Sequence, residues 1–490
     1  MTRRSWQDGS EVHIVLGNET CDLDSMVSAL VFAYFLHRVG STTAVPHRGP
    51  FILEMSSNGA EKLVTISLRS LPPPQTSGKT AVPVLNIKRS ELALRTDSTF
   101  LLRQSGLPQE ALVFRDEVDL PGLGRAGRLA LTLVDHNILP SADGALEGAV
   151  VEVIDHHVLE RTPSDSCAVT LESVGSCATL VTERIAREAP ELLDRQMAQL
   201  LYGTIVLDCV NMAPEARKVT PKDSQYAVWL ESRFPDLPPR GALFQSLQNA
   251  KFDVSGLTTE QMLLKDMKAT SGGDLSLAVS VVYVTLEAFL QRRGLQQELC
   301  EFCHKYRFGL LVAMTISYNE NNEPFRQLAV YSSSTLYREE VSRALENAQN
   351  PCLKLSPISS PYADVKAYLQ GNIVASRKKV LPIIKDFLRE WEHRVERCGE
   401  MEELEELEYH FDPSNSPGLD EEAPSRSSNR WQAMAPEEAG AEEDCQVPPT
   451  PMNSLVEGCP LDNGLPRISP EAILEKFNKM AEPEAAAGGQ

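Results

Sequence analysis

Residues 151–158 read V-E-V-I-D-H-H-V, an apolar and β-branched run that stops on Asp155, His156 and His157. Such a run predicts a buried strand of a parallel sheet, and ligands in these sheets collect where strands end at their carboxyl edge. Imidazole beside carboxylate suits a divalent transition metal or magnesium, which makes water a usable nucleophile near neutral pH. A tripeptide of this kind can also simply end a strand in solvent, so its meaning depends on its company.

That company is a set of further apolar segments ending in aspartate. His13 to Asn18 (H-I-V-L-G-N) leads through Glu19, Thr20 and Cys21 to Asp22, Asp24 and Ser25, and then to an apolar helical run from Met26 to Leu36. Asp24 or Ser25 suits the N-cap of that helix. Leu129 to Val134 ends on Asp135, His136 and Asn137, and Leu200 to Leu207 runs to what reads as a similar end at Asp208. Any one of these aspartates is ordinarily a turn or cap residue. Four together offer the hard oxygen ligands of a two-metal site, with His156 adding nitrogen.

The order D-x-D-S, V-D-H-N, D-H-H and L-D, with G-S-C-A-T-L-V at Gly175 to Val181, resembles the DHH phosphoesterase superfamily. Ser376, Arg377, Lys378 and Lys379 are similar to the S-R-K-K signature of a DHHA2-type second domain, which marks the inorganic pyrophosphatase and exopolyphosphatase branch. The resemblance implies two Mg2+ or Mn2+ ions per active site, held by Asp22, Asp24, Asp135, His156 and Asp208, with Asn18 as a weak amide ligand. It implies Asp24, Asp135, His156 and His157 as catalytic residues, and His157, Lys268, Arg377 and Lys378 as substrate-binding ones. The implied reaction is hydrolysis of phosphoanhydride bonds in short-chain inorganic polyphosphate, with cyclic nucleotide phosphodiesterase activity at the same centre. Asn18 departs from the pattern, since the pyrophosphatase branch has a metal-binding histidine there, and an amide oxygen should loosen one metal and tilt preference from Mn toward Mg. Ser271-Gly272-Gly273-Asp274 does not supply the G-G-G-H motif of the nuclease and cyclic-dinucleotide branches.

Composition sets bounds around this reading. The chain has 490 residues, 42% hydrophobic, which is enough for two cored domains and a tail. A formal net charge of −21 argues against nucleic acid as the main partner, because binding a phosphate backbone needs clustered Lys and Arg. The amino-terminal residues lack the apolar core of a signal peptide, and the longest clean apolar run, Ala29 to Leu36, is too short to cross a bilayer. No membrane insertion and a cytoplasmic location, with the nucleus as a second one, are therefore expected. Ten cysteines without a framework fit reduced thiols. Cys300-Glu-Phe-Cys303-His304 spells a haem attachment sequence, but an amphipathic helix from Leu286 to Tyr306 explains it better. Asn18-Glu19-Thr20 spells a glycosylation sequon that has no use without secretion.

The expected architecture is α/β: a doubly wound parallel-sheet DHH domain over 11–213, then a smaller α/β DHHA2 domain over 222–398, joined by a linker near 212–221. Strands are predicted at Ala81–Ile87, Leu112–Arg115, Leu129–Val134 and Ala149–Ile154 in the first, and at Leu275–Val284, Leu310–Tyr318 and Gln327–Ser332 in the second. Residues 41–80, with three consecutive prolines at 72–74, read as an insert. Residues 399–490 read as a disordered acidic tail: 400–444 alone hold 15 acidic and two basic residues. Within the tail, Pro448-Pro449-Thr450-Pro451 and Pro470 to Met480 are candidate docking segments. The resemblance implies nucleoside-diphosphate kinase among the tail's partners, and a regulatory scaffold with weak or no catalysis is the alternative function.

Overall fold

The computed structural model describes residues 11–40, 80–160, 167–216, 218–318 and 324–408. In chain order the first unit runs β1 (Val12–Leu16), α1 (Leu23–Gly40), β2 (Thr80–Val84), α2 (Thr96–Gln104), α3 (Leu120–Arg125), β3 (Leu129–Val134), β4 (Val150–Asp155), β5 (Ala168–Leu171), α4 (Cys177–Glu188), α5 (Arg195–Asp208), α6 (Pro221–Arg233) and α7 (Arg240–Phe252). Its five strands are all parallel, in the order β2-β1-β3-β4-β5. Every residue of β3 (L-A-L-T-L-V) is buried, as expected of a central strand covered on both faces. One apolar layer contains Val12, Ile14, Leu131, Leu133 and Val153; the larger layer on the other face is built from α1, α4 and α5.

The second unit runs α8 (Thr259–Lys265), β6 (Met267–Gly272), β7 (Leu275–Val282), α9 (Leu286–Leu290), α10 (Leu295–Lys305), β8 (Leu310–Tyr318), β9 (Pro324–Tyr331), α11 (Thr335–Asn347), β10 (Leu355–Ile358), β11 (Val365–Gln370) and α12 (Arg377–Glu408). Its sheet is mixed, in the order β10-β11-β9-β8-β7-β6, with β7 and β8 parallel and the other neighbours antiparallel. Apolar side chains cover both faces: α8 and α10 line one, α11 and α12 the other.

Several expectations meet corrections. Residues 112–115 form no regular strand, only an isolated bridge from Phe114 to Leu85. The expected helix from Leu286 to Tyr306 is broken into α9 and α10 by Gly294, whose φ of 76° is left-handed and suits glycine. Cys303 faces the core as expected while Cys300 is exposed. The first core extends past the expected linker: Ala227 and Leu230 of α6 and Leu243 and Leu247 of α7 all pack into it, so the packing boundary follows Phe252 rather than residue 222. The insert (41–79) and the tail from residue 409 lie outside the described residues, whereas α12 continues to Glu408.

Candidate metal centre

A cluster of acidic side chains forms at the carboxyl ends of β1 and β3, on either side of the point where strand order reverses. After β1 the chain turns at Gly17, where a Cβ would come within 2.2 Å of Ser25 Oγ, so glycine allows α1 to start this close to the strand. Ser25 Oγ accepts the Asn18 backbone N–H at 2.7 Å, and Asp22 Oδ1 accepts the Ser25 N–H at 3.1 Å. Asp24, in the first turn of α1, is buried and accepts the backbone N–H groups of Cys177 (2.6 Å) and Ala178 (2.8 Å). These open α4, so the amino end of one helix fixes a carboxylate carried by another.

Asp135 follows β3 with a left-handed φ of 63°, a conformation that costs on the order of 1 kcal/mol for a residue with a Cβ. Its Oδ1 lies 3.1 Å from His156 Nε2, and Asp24 Oδ2 lies 3.9 Å from the same nitrogen. His156 Nδ1 is 2.9 Å from the Val174 carbonyl and must donate to it. In a neutral ring Nε2 is then an acceptor facing two other acceptors, and a proton or a cation must reconcile them. Burial alone would lower the His156 imidazole, but the hydrogen bond and charge of Asp135 and the charge of Asp24 push it up to about 10.

The carboxylates repel one another. Burial, then the charge of Asp24, raises Asp135; burial, then Asp24 and Asp22, raises Asp208. Asp24 is raised by burial, against the pull of His156 and with a push from Asp22. Asp22, Asp24, Asp135, His156 and Asp208 are therefore electrostatic neighbours. Asp208 does not end a strand as the sequence suggests. It ends α5, whose residues from Met197 to Leu207 are all buried. Asp208 Oδ2 is buried and makes no hydrogen bond of ordinary length and angle among the described residues, although the Ser176 hydroxyl is near enough to favour the charged carboxylate.

His157 takes a different place. Asp155 Oδ1 accepts from the His156 N–H (2.8 Å), the His157 N–H (3.3 Å) and His157 Nδ1 (2.8 Å), while Oδ2 accepts from Asn137 Nδ2 at 2.6 Å. Although Asp135, Asp155, His156 and His157 offer ligand atoms within 4.8 Å of one another, Asp155 spends its lone pairs on these donors. It orients His157, whose side chain is 54% exposed and whose imidazole is raised by the Asp155 hydrogen bond.

Asn18 is not disposed as a metal ligand. Its Oδ1 accepts from the Cys21 N–H (3.0 Å) and Thr20 Oγ1 (2.6 Å), and its Nδ2 donates to Asp135 Oδ2 (2.8 Å) and the Asp135 carbonyl (3.2 Å). Because a backbone N–H can only donate, the amide orientation is fixed, and Asn18 turns N–H rather than oxygen toward Asp135. Arg377 also departs from expectation: it is 4% exposed and pairs with Asp266 at 2.7 Å, so its charge is met inside the second unit. Lys268 is lowered by burial, then by Arg377, and is also influenced by Asp266 and Lys385, while Lys378 is exposed.

Three supporting residues escape motif reading. Asn137 was visible within D-H-N, but its bond to Asp155 was not. Asp223, fully buried on α6, accepts from the Gly175 N–H at 2.8 Å and so anchors the segment that opens α4. Arg95, fully buried, holds the Thr20 carbonyl through Nη2 at 2.6 Å and Nε at 3.1 Å.

Residues 13–205 match the DHH family, N-terminal domain, and residues 245–387 match the DHHA2 domain. Exopolyphosphatase PRUNE1 of Mus musculus is 45% identical over 484 residues, 99% of this chain and 97% of that protein. The chain belongs to the prune family. Membership at this coverage supports the resemblance read from the D-x-D-S, D-H-N, D-H-H and S-R-K-K segments. The human prune relative, of the same name, is 45% identical over 98% of this chain and 96% of its own length. Beyond the prune family, a Brevibacillus brevis protein named "Probable manganese-dependent inorganic pyrophosphatase" is 26% identical over 52% of this chain and 75% of its own length. The donor set here fits a divalent cation: carboxylates crowded together in the interior, Asp208 among them, and an imidazole nitrogen facing oxygens.

Proposed function

We propose that this chain is a divalent-metal-dependent phosphohydrolase that releases phosphate from short-chain inorganic polyphosphates. Asp22, Asp24, Asp135, His156 and Asp208 would hold Mg2+ or Mn2+, two ions per site. The observation that carries this reading is His156: with Nδ1 committed to the Val174 carbonyl, Nε2 meets Asp135 and Asp24 in an arrangement that calls for a cation. Bound there, divalent ions supply an acidified water and counter-charge for phosphate oxygens. Asp24 is held for that task by the α4 backbone, and Asp135 by Asn18. Asp155 keeps His157 protonated on Nδ1 and presents a half-exposed imidazole with an enhanced tendency to be cationic, suited to neutralising substrate oxygens. Lys268 and Lys378 remain candidate substrate cations, and Arg377 joins them only where its pair with Asp266 opens.

The test is calorimetric titration with Mn2+ beside phosphate release from pyrophosphate, tripolyphosphate, longer chains and cyclic AMP. Turnover of cyclic AMP by the same centre would add the phosphodiesterase activity. Metal-independent release, or a wild-type protein that binds no divalent ion, contradicts the reading. The acidic composition from residue 400 supports a recruiting role for the tail, with nucleoside-diphosphate kinase as the partner to try first and the cytoplasm and nucleus as the places to look. No described helix is long and apolar enough to cross a membrane.

A further inference from the structure

Residues 94–96 lie between the two units and are held from both sides. Leu94 packs its side chain into the core of the second unit, with Met262, Leu263 and Phe289. Its carbonyl accepts from Lys265 Nζ at 2.8 Å, and Thr96 Oγ1 accepts from the same ammonium at 2.8 Å. Lys265 is 1% exposed, so these contacts replace the hydration that a buried ammonium loses. Thr96 Oγ1 also donates to the Lys251 carbonyl at 3.2 Å. Between these two residues, Arg95 serves the first unit: Nη2 and Nε clamp the Thr20 carbonyl, and Nη1 donates to the Glu91 carbonyl at 3.1 Å.

Thr20 belongs to the loop that carries Asn18 and Asp22, and Thr20 Oγ1 donates to the Asn18 amide that in turn holds Asp135. Lys265 precedes Asp266, whose Oδ1 pairs with Arg377 and whose Oδ2 accepts from the Tyr283 hydroxyl at 2.7 Å. A continuous path of hydrogen bonds and peptide bonds thus joins the acidic cluster to the strand that bears Lys268.

We propose that Arg95 is a positioning residue for the metal-binding loop, and that Lys265 makes its hold depend on how the second unit is seated. The inference rests on the metal-centre reading above and adds what keeps that loop in place. A buried guanidinium clamping one carbonyl restricts the loop, but its own backbone position is set by Leu94 and Thr96. Displacing Lys265 therefore loosens Arg95 without touching any residue of the acidic cluster.

The test is titration of the full chain with Mn2+ alone by calorimetry, for the wild type, Arg95→Lys, Lys265→Met and the double variant, with thermal unfolding in chelator measured alongside. Each single variant is expected to weaken Mn2+ binding about fivefold or more, within the usual range of coupling between sites. The double variant should fall well short of the product of the two losses, because both act through residues 94–96. A folded Lys265→Met protein with unchanged Mn2+ affinity, even at a lower melting temperature, overturns the proposal, and so do losses that simply multiply. Should Lys265→Met fail to fold, Thr96→Val, which removes one of the two acceptors, is read against the same outcomes. A wild-type protein that binds no Mn2+ overturns the metal centre itself, and this result is distinct from a selective failure of the variants.

Discussion

Asp208 has a buried carboxylate oxygen, and burial and the repulsion of Asp24 and Asp22 outweigh the help of Lys251 and the Ser176 hydroxyl. Its carboxyl is raised well above the ordinary 3.8, so its protonated form is favoured by folding. The sign follows: this contribution to metal-free stability is full below the ordinary pKa and is lost as pH rises through the raised one. Asp208→Asn should therefore raise the melting temperature in chelator, by about 2–4 °C for each kcal/mol relieved, and flatten its decline with pH; calorimetric scans across pH read both. His156 titrates in the same sense. Its raised pKa, about 10, means that a divalent ion displaces a proton near neutral pH, so Mn2+ affinity should fall as pH falls. Titrations in buffers of different ionisation enthalpy would detect the released proton, and a pH-independent affinity with no release would contradict this assignment. The acidic cluster was legible in the sequence because D-x-D, D-H-N and D-H-H set ligand-type residues in recognisable order. The role of Asn18 was not legible, since its amide orientation is decided by the Cys21 N–H and Thr20 hydroxyl, contacts that exist only once the loop has closed.

The amino end of α4 is held by a residue of another helix, Asp223 of α6. Asp223 Oδ2 accepts from the N–H groups of Gly175 and Thr220 at 2.8 Å each and from Thr220 Oγ1 at 2.7 Å, while Oδ1 accepts from Thr179 Oγ1 at 2.6 Å. Gly175 has no room for a side chain, because a Cβ would lie 2.2 Å from the Lys218 carbonyl oxygen. Asp223→Ala leaves these donors buried and unmet, which should cost about 2–4 kcal/mol in urea unfolding. Because Cys177 and Ala178 hold Asp24, the same variant should also weaken Mn2+ binding, whereas an unchanged affinity would detach α4 from the site. The parallel sheet could be read from its β-branched runs. That α6 and α7 pack with the first sheet was not legible, because their amphipathic pattern is the same whichever unit they join.

The sequence separates a folded body, which carries the acidic cluster, from an acidic tail, and the body contains two sheets joined through α8 and residues 94–96. A chain ending at Glu408 should keep the melting temperature and hydrolysis of the full chain and lose partner capture, since the removed residues are too polar and Pro-rich to add a core. Retained capture, or lost hydrolysis, would contradict that division. Asp22, Asp24, Asp135, His156 and Asp208 are proposed to form a metal centre for phosphoanhydride hydrolysis. Phosphate release from tripolyphosphate, followed as Mn2+ is titrated into the wild type and a folded Asp135→Asn variant, decides that assignment. Release that climbs with metal, vanishes in chelator and drops by at least about a hundredfold in the variant is the expected result. Release that ignores the metal, or persists in the folded variant, would contradict it.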